Sequence, residues 1–210
     1  MTKPVLHIGN KRLSSWSMRP WLALKKAGID FTETLIPLDQ PETRETLKAL
    51  SPAGTVPVLQ AGDLTIWDSL AICEWAAEQA PSLWPADPAL RAHARAVTAS
   101  MHSGFGGLRR DLSMDLQRPV GGTDVSVQAW QDIETILAMW AACPKGGDGF
   151  LFGAWSIADA FYTPVATRFR TYAIELPDAA QAYVDLLLSD PDYRAWEAAG
   201  LAETFDAPFH

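Results

Sequence analysis

Apolar and polar positions alternate over short stretches in the first 80 residues, and helical patterns separate these stretches. The pattern predicts a strand-helix-strand unit, a polar segment at 41–50, and then a hairpin that leads into a second helix. The predicted strands are 5–8, 31–37, 56–60 and 64–67, and the predicted helices are 17–27 and 68–80. This order predicts a small mixed sheet with helices packed on it.

The pattern becomes purely helical after a proline-rich stretch at 81–88. Because proline interrupts helical hydrogen bonding, this stretch is predicted to link a domain at 1–80 to an all-helical domain at 89–210. Apolar residues then recur at steps of three and four in two stripes that are expected to face the core. The stripes are Ala94, Val97, Met101, Phe105, Leu108, Leu112 and Leu116, and then Val127, Trp130, Ile133, Leu137 and Trp140. Glycines at 104, 106 and 107 predict a bend in the first stripe, and further helices are predicted at 157–172, 179–188 and 193–199.

The composition is that of a globular protein with an excess of acidic residues. A formal net charge of -8 argues against binding along a phosphate backbone, so we expect no nucleic-acid partner. Cys73 and Cys143 lack CxxC spacing and the four histidines lack metal-site spacing, which predicts reduced core thiols and no metal. We also find no secretory leader pattern and no run of about 18 apolar residues, so we expect a cytoplasmic protein with no membrane partner.

A cluster of hydroxyl residues, Ser14-Ser15-Trp16-Ser17, precedes the first predicted helix. Free amides and the positive end of the helix dipole favour an anion at such a position. A serine hydroxyl can also donate a hydrogen bond to a thiolate, so the cluster is a candidate thiol site. The alternative is that these serines only cap the helix.

Two further features follow at informative positions. Val56-Pro57 comes after a glycine-containing turn, and a cis bond there would turn the backbone of Val56 towards a peptide-like ligand. Only about 5–6% of X-Pro bonds are cis, so the residues alone favour trans. Asp68-Ser69 precedes an apolar helix whose amides could receive a carboxylate, although simple capping explains the same pair.

Together, these three features resemble the glutathione site of the glutathione transferase superfamily, and the run at 14–19 resembles its zeta-class serine motif. The resemblance covers nearly the whole chain. It implies an N-terminal thioredoxin-like domain, a helical C-terminal domain and a homodimer. It also implies that Val56 pairs with the cysteinyl unit of glutathione beside a cis Pro57, while Asp68 and Ser69 hold the γ-glutamyl end.

The resemblance makes Ser14 the catalytic residue that hydrogen-bonds the glutathione sulfur, with Ser15 and Ser17 as alternative hydroxyls. Lowering a thiol pKa by roughly two units needs about 2.7 kcal/mol. A helix terminus supplies about 0.3–1 kcal/mol and a hydrogen bond to a charged group about 1.5–3 kcal/mol, so the hydroxyl is the critical group. The first tyrosine is Tyr162, which leaves no phenol in the N-terminal domain for a tyrosine-type mechanism.

The implied function is a glutathione transferase that adds glutathione to a small electrophile in detoxification. In the helical domain, Ser156 and Asp159 resemble the N-capping box of the family's central helix, a structural feature. Met101, Phe105 and Leu108 could line the second-substrate pocket, but we expect them to be core.

Two alternative functions remain open. The first is a cis-trans isomerase of the maleylacetoacetate isomerase type, which holds an acidic substrate with an arginine on the central helix. Arg168 and Arg170 are not clearly in register for that role, and we expect them to lie on a solvated helix face, like Arg109 and Arg110. Trp16 also departs from the zeta motif, which has cysteine there. The second alternative is a binding or interaction module that has the fold without catalysis.

Overall fold

A four-stranded mixed sheet in the order β2-β1-β3-β4 organises the first part of the chain. In the computed structural model, which describes residues 3–204, the strands are β1 (Val5–Ile8), β2 (Thr32–Leu35), β3 (Val58–Ala61) and β4 (Leu64–Ile66). β1 pairs in parallel with β2 and antiparallel with β3, and β3 forms a hairpin with β4. Gly62 has a φ of 63° in that hairpin turn, a conformation that glycine adopts without strain.

Three helices accompany this sheet: α1 (Ser15–Lys26), α2 (Thr43–Leu50) and α3 (Ser69–Gln79). The sequence predicted α1 and α3 but described 41–50 only as a polar segment, where the structure has α2. Leu47 is the one buried residue of this eight-residue helix, and two turns are too short for an apolar stripe to repeat several times.

The second part of the chain is helical. A 3₁₀ turn at Pro81–Leu83 precedes α4 (Pro88–Ser103), α5 (Gly106–Asp111), α6 (Val127–Ala142), α7 (Ile157–Thr171), α8 (Asp178–Ser189) and α9 (Pro191–Leu201). Asp87 caps α4 by accepting hydrogen bonds from the two amides of Ala89 and Leu90. The division into domains at 81–88 stays a prediction.

The central helix of this part, α7, has all but one of its residues buried and packs against α1, α4 and α8. Trp140 of α6 contacts three α7 and α8 rings edge-on, those of Tyr162, Phe169 and Tyr183, at centroid distances of 4.8–5.8 Å. Because α1 belongs to the first part, the α1–α7 contact joins the sheet to the helical core.

The two predicted apolar stripes are partly corrected. The first is not one helix: α4 ends at Ser103, Phe105 adopts a φ of 62°, and α5 starts at Gly106, as the glycines in this stretch suggested. In the second stripe, Val127 is 75% and Trp130 44% exposed, because the first turns of α6 bury the face that carries Ala129 and Asp132 instead.

Candidate active site

The loop that leads from β1 into α1 is held in place by the helical part of the chain. The backbone amides of Lys11 and Arg12 donate to the carboxylate of Glu203, and Trp196 donates from Nε1 to the carbonyl of Lys11 at 2.9 Å. Arg12 also forms two hydrogen bonds to the carboxylate of Asp115. The start of α1 is therefore positioned by both parts of the protein.

The three candidate serines occupy different environments at the start of α1. Ser14 is the N-cap: its Oγ accepts from the Ser17 amide at 3.2 Å and donates to the Ser17 Oγ at 2.8 Å. Ser17 is fully buried, and its hydroxyl also accepts from the Gly9 amide. Ser15 accepts a hydrogen bond from Arg168 Nη2 at 3.3 Å. All three serines are buried, but Ser14 and Ser15 each keep 5% of their surface exposed whereas Ser17 keeps none.

The start of α3 has a second set of polar groups. Asp68 Oδ1 accepts from the amides of Leu70 and Ala71 at 3.0 and 3.4 Å, which caps the helix. Asp68 Oδ2 lies 2.9 Å from Nε2 of His102 on α4. The Ser69 hydroxyl is buried and has no hydrogen-bond partner within residues 3–204. Ser69 has no exposed surface, so a ligand carboxylate at this helix N-terminus can bond its hydroxyl only when the side chain turns outward.

The bond between Val56 and Pro57 is cis, so the expectation of trans from general frequencies was wrong. That frequency is an average over all X-Pro bonds and does not take the conformation of the local turn into account. In the described part of the chain, the backbone of Val56 has no hydrogen-bond partner. Val58 pairs with His7 near the end of β1, so Val56 lies at the same end of the sheet as the loop that leads to Ser14.

Three arginines surround the first turn of α1. The guanidinium of Arg19 lies 4.3 Å from the ring centroid of Trp16 and 4.7 Å from that of Phe161. Arg109 lies 4.9 Å from the same Trp16 ring, and Arg168 reaches Ser15 from α7. This group, Arg19, Arg109 and Arg168, is called the arginine cluster below.

The arginine cluster corrects the expectation of solvated arginines. Arg168 is 4% exposed, and its guanidinium donates to the carbonyls of Leu112 and Pro164 because α7 is covered on nearly all sides. Arg109 is half-buried and donates to carbonyls at the end of α4. The expectation holds for Arg110, which is exposed, while Arg170 is partly buried against Glu197.

Burial dominates the electrostatics of the arginine cluster. Desolvation lowers the pKa of Arg19 well below its usual value, and the charges of Arg109 and Arg168 lower it further. Desolvation lowers the pKa of Arg168 to about 9, with Arg109 as the next cause. Like charges that are confined and desolvated together favour the binding of an anion.

His102 connects the start of α3 to the start of α1. Its ring makes an edge contact with Trp16 at a centroid distance of 5.3 Å while its Nε2 faces Asp68. Through these contacts, the structure brings Asp68-Ser69 at the start of α3 and the serines at the start of α1 to one side of the molecule.

Other expectations about chemistry concern cysteines, metals and the second pocket. Cys73 and Cys143 are buried free thiols, and burial raises the pKa of both. Met101 and Leu108 are core residues, as expected, and Phe105 is partly buried. Among residues 3–204, no group of three or more His, Cys, Asp or Glu side chains is suited to a metal ion. In the same range, no helix has the length and apolar character to cross a membrane.

Arg19 and His102 were missed as site residues by the sequence reasoning. Arg19 was visible in the motif at 14–19, and its presence on the otherwise apolar face of α1 was an available signal. His102 carried no such signal, because its partner Asp68 is 34 positions away in the sequence.

Comparison with known proteins gives concordant results for both parts of the chain. The family models for the glutathione S-transferase N-terminal and C-terminal domains match residues 13–79 and 74–199. A maleylacetoacetate isomerase from Rattus norvegicus is 37% identical over 184 residues, which cover 83% of this chain and 82% of the relative. A probable maleylacetoacetate isomerase from Caenorhabditis elegans is 38% identical over 105 residues, so the match spans about half of each protein, 49% and 48%.

A solved structure shows the same fold. It is a glutathione transferase homolog from Burkholderia BGR1 with bound glutathione, and it aligns with a TM-score of 0.74 at 24% identity over 95% of this chain and 98% of that one. The predicted fold class, a thioredoxin-like domain followed by a helical domain, is confirmed.

Proposed function

Because the chain belongs to the glutathione S-transferase family, we propose that it is a serine-type glutathione transferase, which activates glutathione beside Ser14 and adds it to a small electrophile. One observation carries this proposal. The N-cap hydroxyl of Ser14 and the unsatisfied hydroxyl of Ser69 lie at two helix N-termini that His102 and Trp16 connect.

These groups match the chemical ends of glutathione. The α3 N-terminus and the Ser69 hydroxyl receive the γ-glutamyl carboxylate, and Asp68 receives its ammonium group. The unpaired backbone of Val56 hydrogen-bonds the cysteinyl unit, which places the sulfur near the α1 N-terminus. Ser14 then rotates its hydroxyl from Ser17 towards the sulfur and stabilises the thiolate.

A second candidate function is favoured by the arginine cluster. A desolvated group of guanidiniums suits an electrophile that itself carries a carboxylate, and two relatives are named as maleylacetoacetate isomerases. On this proposal, glutathione adds to the double bond of a cis-configured acid, the molecule rotates about the resulting single bond, and glutathione leaves again to give the trans acid. An isomerase turns over its substrate without consuming glutathione, whereas a transferase consumes it stoichiometrically.

The proposal also carries expectations about the assembly, location and cellular role of the protein. A homodimer, a cytoplasmic location and a role in detoxification fit the family, and a size measurement tests the first of them. The alternative function is that of a non-enzymatic interaction module. It does not require glutathione at either helix terminus.

The test is a calorimetric titration of glutathione into the wild type and Ser14→Ala, together with the ultraviolet absorbance of bound thiolate. Loss of an N-cap alone costs about 0.5–2 kcal/mol of stability, so Ser126→Ala is the matched control. Ser126 caps the exposed start of α6 by accepting from the Ala129 amide at 3.3 Å.

We expect Ser14→Ala to bind glutathione but to lose the thiolate signal, and Ser126→Ala to keep it. A thiolate signal unchanged in Ser14→Ala would move the role to Ser15, whose own variant then decides. If the wild type does not bind glutathione, the enzyme proposal fails and the interaction module replaces it.

A further inference from the structure

Arg19 is a fully buried cation without a hydrogen bond. Its side chain has no exposed surface, and all three guanidinium nitrogens lack a partner within residues 3–204. The faces of two aromatic rings, those of Trp16 and Phe161, lie against the guanidinium. Leaving a buried charge unpaired is strongly destabilising, so a protein retains one where the charge has a use.

Within residues 3–204, no carboxylate forms an ion pair or a hydrogen bond with Arg19. Arg109 on α5 and Arg168 on α7 repel Arg19, and His102 on α4 makes an edge contact with the same Trp16 ring. Cys73 on α3 is buried as a neutral thiol, since burial raises its pKa. Asp68 interacts with Arg19 electrostatically, but its oxygens are bonded to the α3 amides and to His102.

The charge of Arg19 lies close to the N-terminus of α1. Arg19 is five residues after Ser14, which is about 7.5 Å along the helix axis. Helical side chains lean towards the N-terminus, and the contact with Trp16 in the preceding turn shows that Arg19 does so. Its guanidinium is therefore within about 10 Å of a sulfur placed at Ser14.

We propose that Arg19 is a buried electrostatic residue whose charge favours the thiolate form of glutathione held at Ser14. The inference rests on the proposed function and extends it, because the hydroxyl and the helix terminus are then assisted by a full positive charge. A carboxylate of the second substrate is not the partner of Arg19, since the guanidinium has no surface to contact it. That role suits the half-exposed Arg109.

The expected size of the effect follows from Coulomb's law. A unit charge at about 8–10 Å with an effective dielectric constant near 20 changes the thiol-thiolate equilibrium by roughly 10- to 30-fold. Removing the charge therefore raises the pKa of bound glutathione by about 1–1.5 units.

The experiment titrates thiolate absorbance against pH in saturating glutathione for the wild type and three variants. Arg19→Met and Arg19→Gln remove the charge and keep much of the side-chain length, while Arg19→Lys keeps a cation. Thermal unfolding of the ligand-free proteins is measured in parallel. We expect both uncharged variants to raise the thiol pKa by at least about one unit and Arg19→Lys to recover part of the shift.

The ligand-free protein separates an electrostatic role from a structural one. We expect Arg19→Met to be at least as stable as the wild type without ligand, because it replaces an unpaired buried charge with an apolar chain. An unchanged thiol pKa in both uncharged variants would overturn the inference while leaving Ser14 in place. Failure of both to fold would overturn it too, because Arg19 would then serve the fold. A wild type without a thiolate signal removes the proposed function and this inference together.

Discussion

Asp159, at the start of α7, offers a test of how burial and hydrogen bonding compete in this core. Its carboxylate is fully buried and accepts four hydrogen bonds. Oδ1 accepts from the Leu151 amide at 3.2 Å and the Tyr183 hydroxyl at 2.8 Å, and Oδ2 accepts from the amide and hydroxyl of Ser156 at 2.8 and 2.9 Å. Burial is the larger effect and raises the pKa of Asp159 to about 6, although these four donors oppose the shift.

The sign of the pH dependence follows from this raised pKa. Between an unfolded pKa of 3.8 and a folded pKa of about 6, the folded protein holds a proton at Asp159 that the unfolded chain has released. The stability supplied by protonated Asp159 is therefore complete below pH 3.8 and is lost as the pH rises through about 6. Between pH 4.5 and pH 7.5, the loss amounts to about 2 kcal/mol.

Asp159→Asn removes this titration and replaces one carboxylate oxygen by an NH₂ group. That NH₂ group cannot accept the two hydrogen bonds that the oxygen accepted, so two buried donors lose their acceptor. Each unsatisfied donor costs about 1–3 kcal/mol at any pH. We expect the variant to be about 4 kcal/mol less stable than the wild type at pH 4.5 and about 2 kcal/mol less stable at pH 7.5. Urea unfolding followed by tryptophan fluorescence measures both values, since Trp140 packs on Tyr183.

The other titrating groups are the same in the wild type and in Asp159→Asn, so their contributions cancel when the free energies of unfolding of the two proteins are subtracted at each pH. Ser156→Ala is the control, because it removes one donor but keeps the carboxylate; losing that donor raises the pKa of Asp159 further, so the stability of this variant must fall with rising pH by at least as much as that of the wild type. A gap between wild type and Asp159→Asn that widens with pH would refute the reasoning. It would mean that the four donors outweigh desolvation.

Two further predictions concern packing and ligand binding. Gly107→Ala should lower the free energy of unfolding by about 1–3 kcal/mol, because a Cβ would lie 2.8 Å from the backbone of α6. Gly106→Ala, which meets nothing within 4 Å, should leave urea unfolding unchanged or slightly more stable, and equal effects of the two would contradict this packing. Asp68→Asn should keep the α3 cap but weaken glutathione binding roughly 10-fold or more by calorimetry, because a charge-assisted bond to the ammonium is lost. Unchanged affinity would remove Asp68 from the site.

Local signals in the sequence were sufficient where an element has a marked start or a strong period. Ser14 before α1 and Asp68 before α3 are side chains that cap by bonding amides two or three residues ahead, so a short window contains the whole interaction. The helix α2 was not identified in this way, because its eight residues contain one buried position, Leu47, and are too short to show a repeating stripe.

The burial of a charged side chain could not be predicted from a short window of sequence. Arg168 and Arg170 are separated by one position, so they point to different sides of α7. Arg168 is buried against the start of α1, while Arg170 is partly exposed and bonds Glu197 of α9. The packing of α7 against α1 and α9 decides which is which, and the contact of Arg168 with Ser15 joins residues 153 positions apart in the sequence.

The same dependence explains why the candidate site needs both parts of the chain. The first part supplies the hydroxyls and helix termini, but Glu203 and Trp196 fix the loop before α1, and α5 and α7 supply two of the three cluster arginines. A thiol-activating terminus built from α1 alone would have a hydroxyl and about 0.3–1 kcal/mol from the helix dipole. Packing α7 against α1 excludes water around Arg19, and a charge acts more strongly where water is excluded. On the proposed function, the helical part would thus contribute to the chemistry at Ser14 by setting the dielectric environment of the thiol, in addition to any contact with the second substrate.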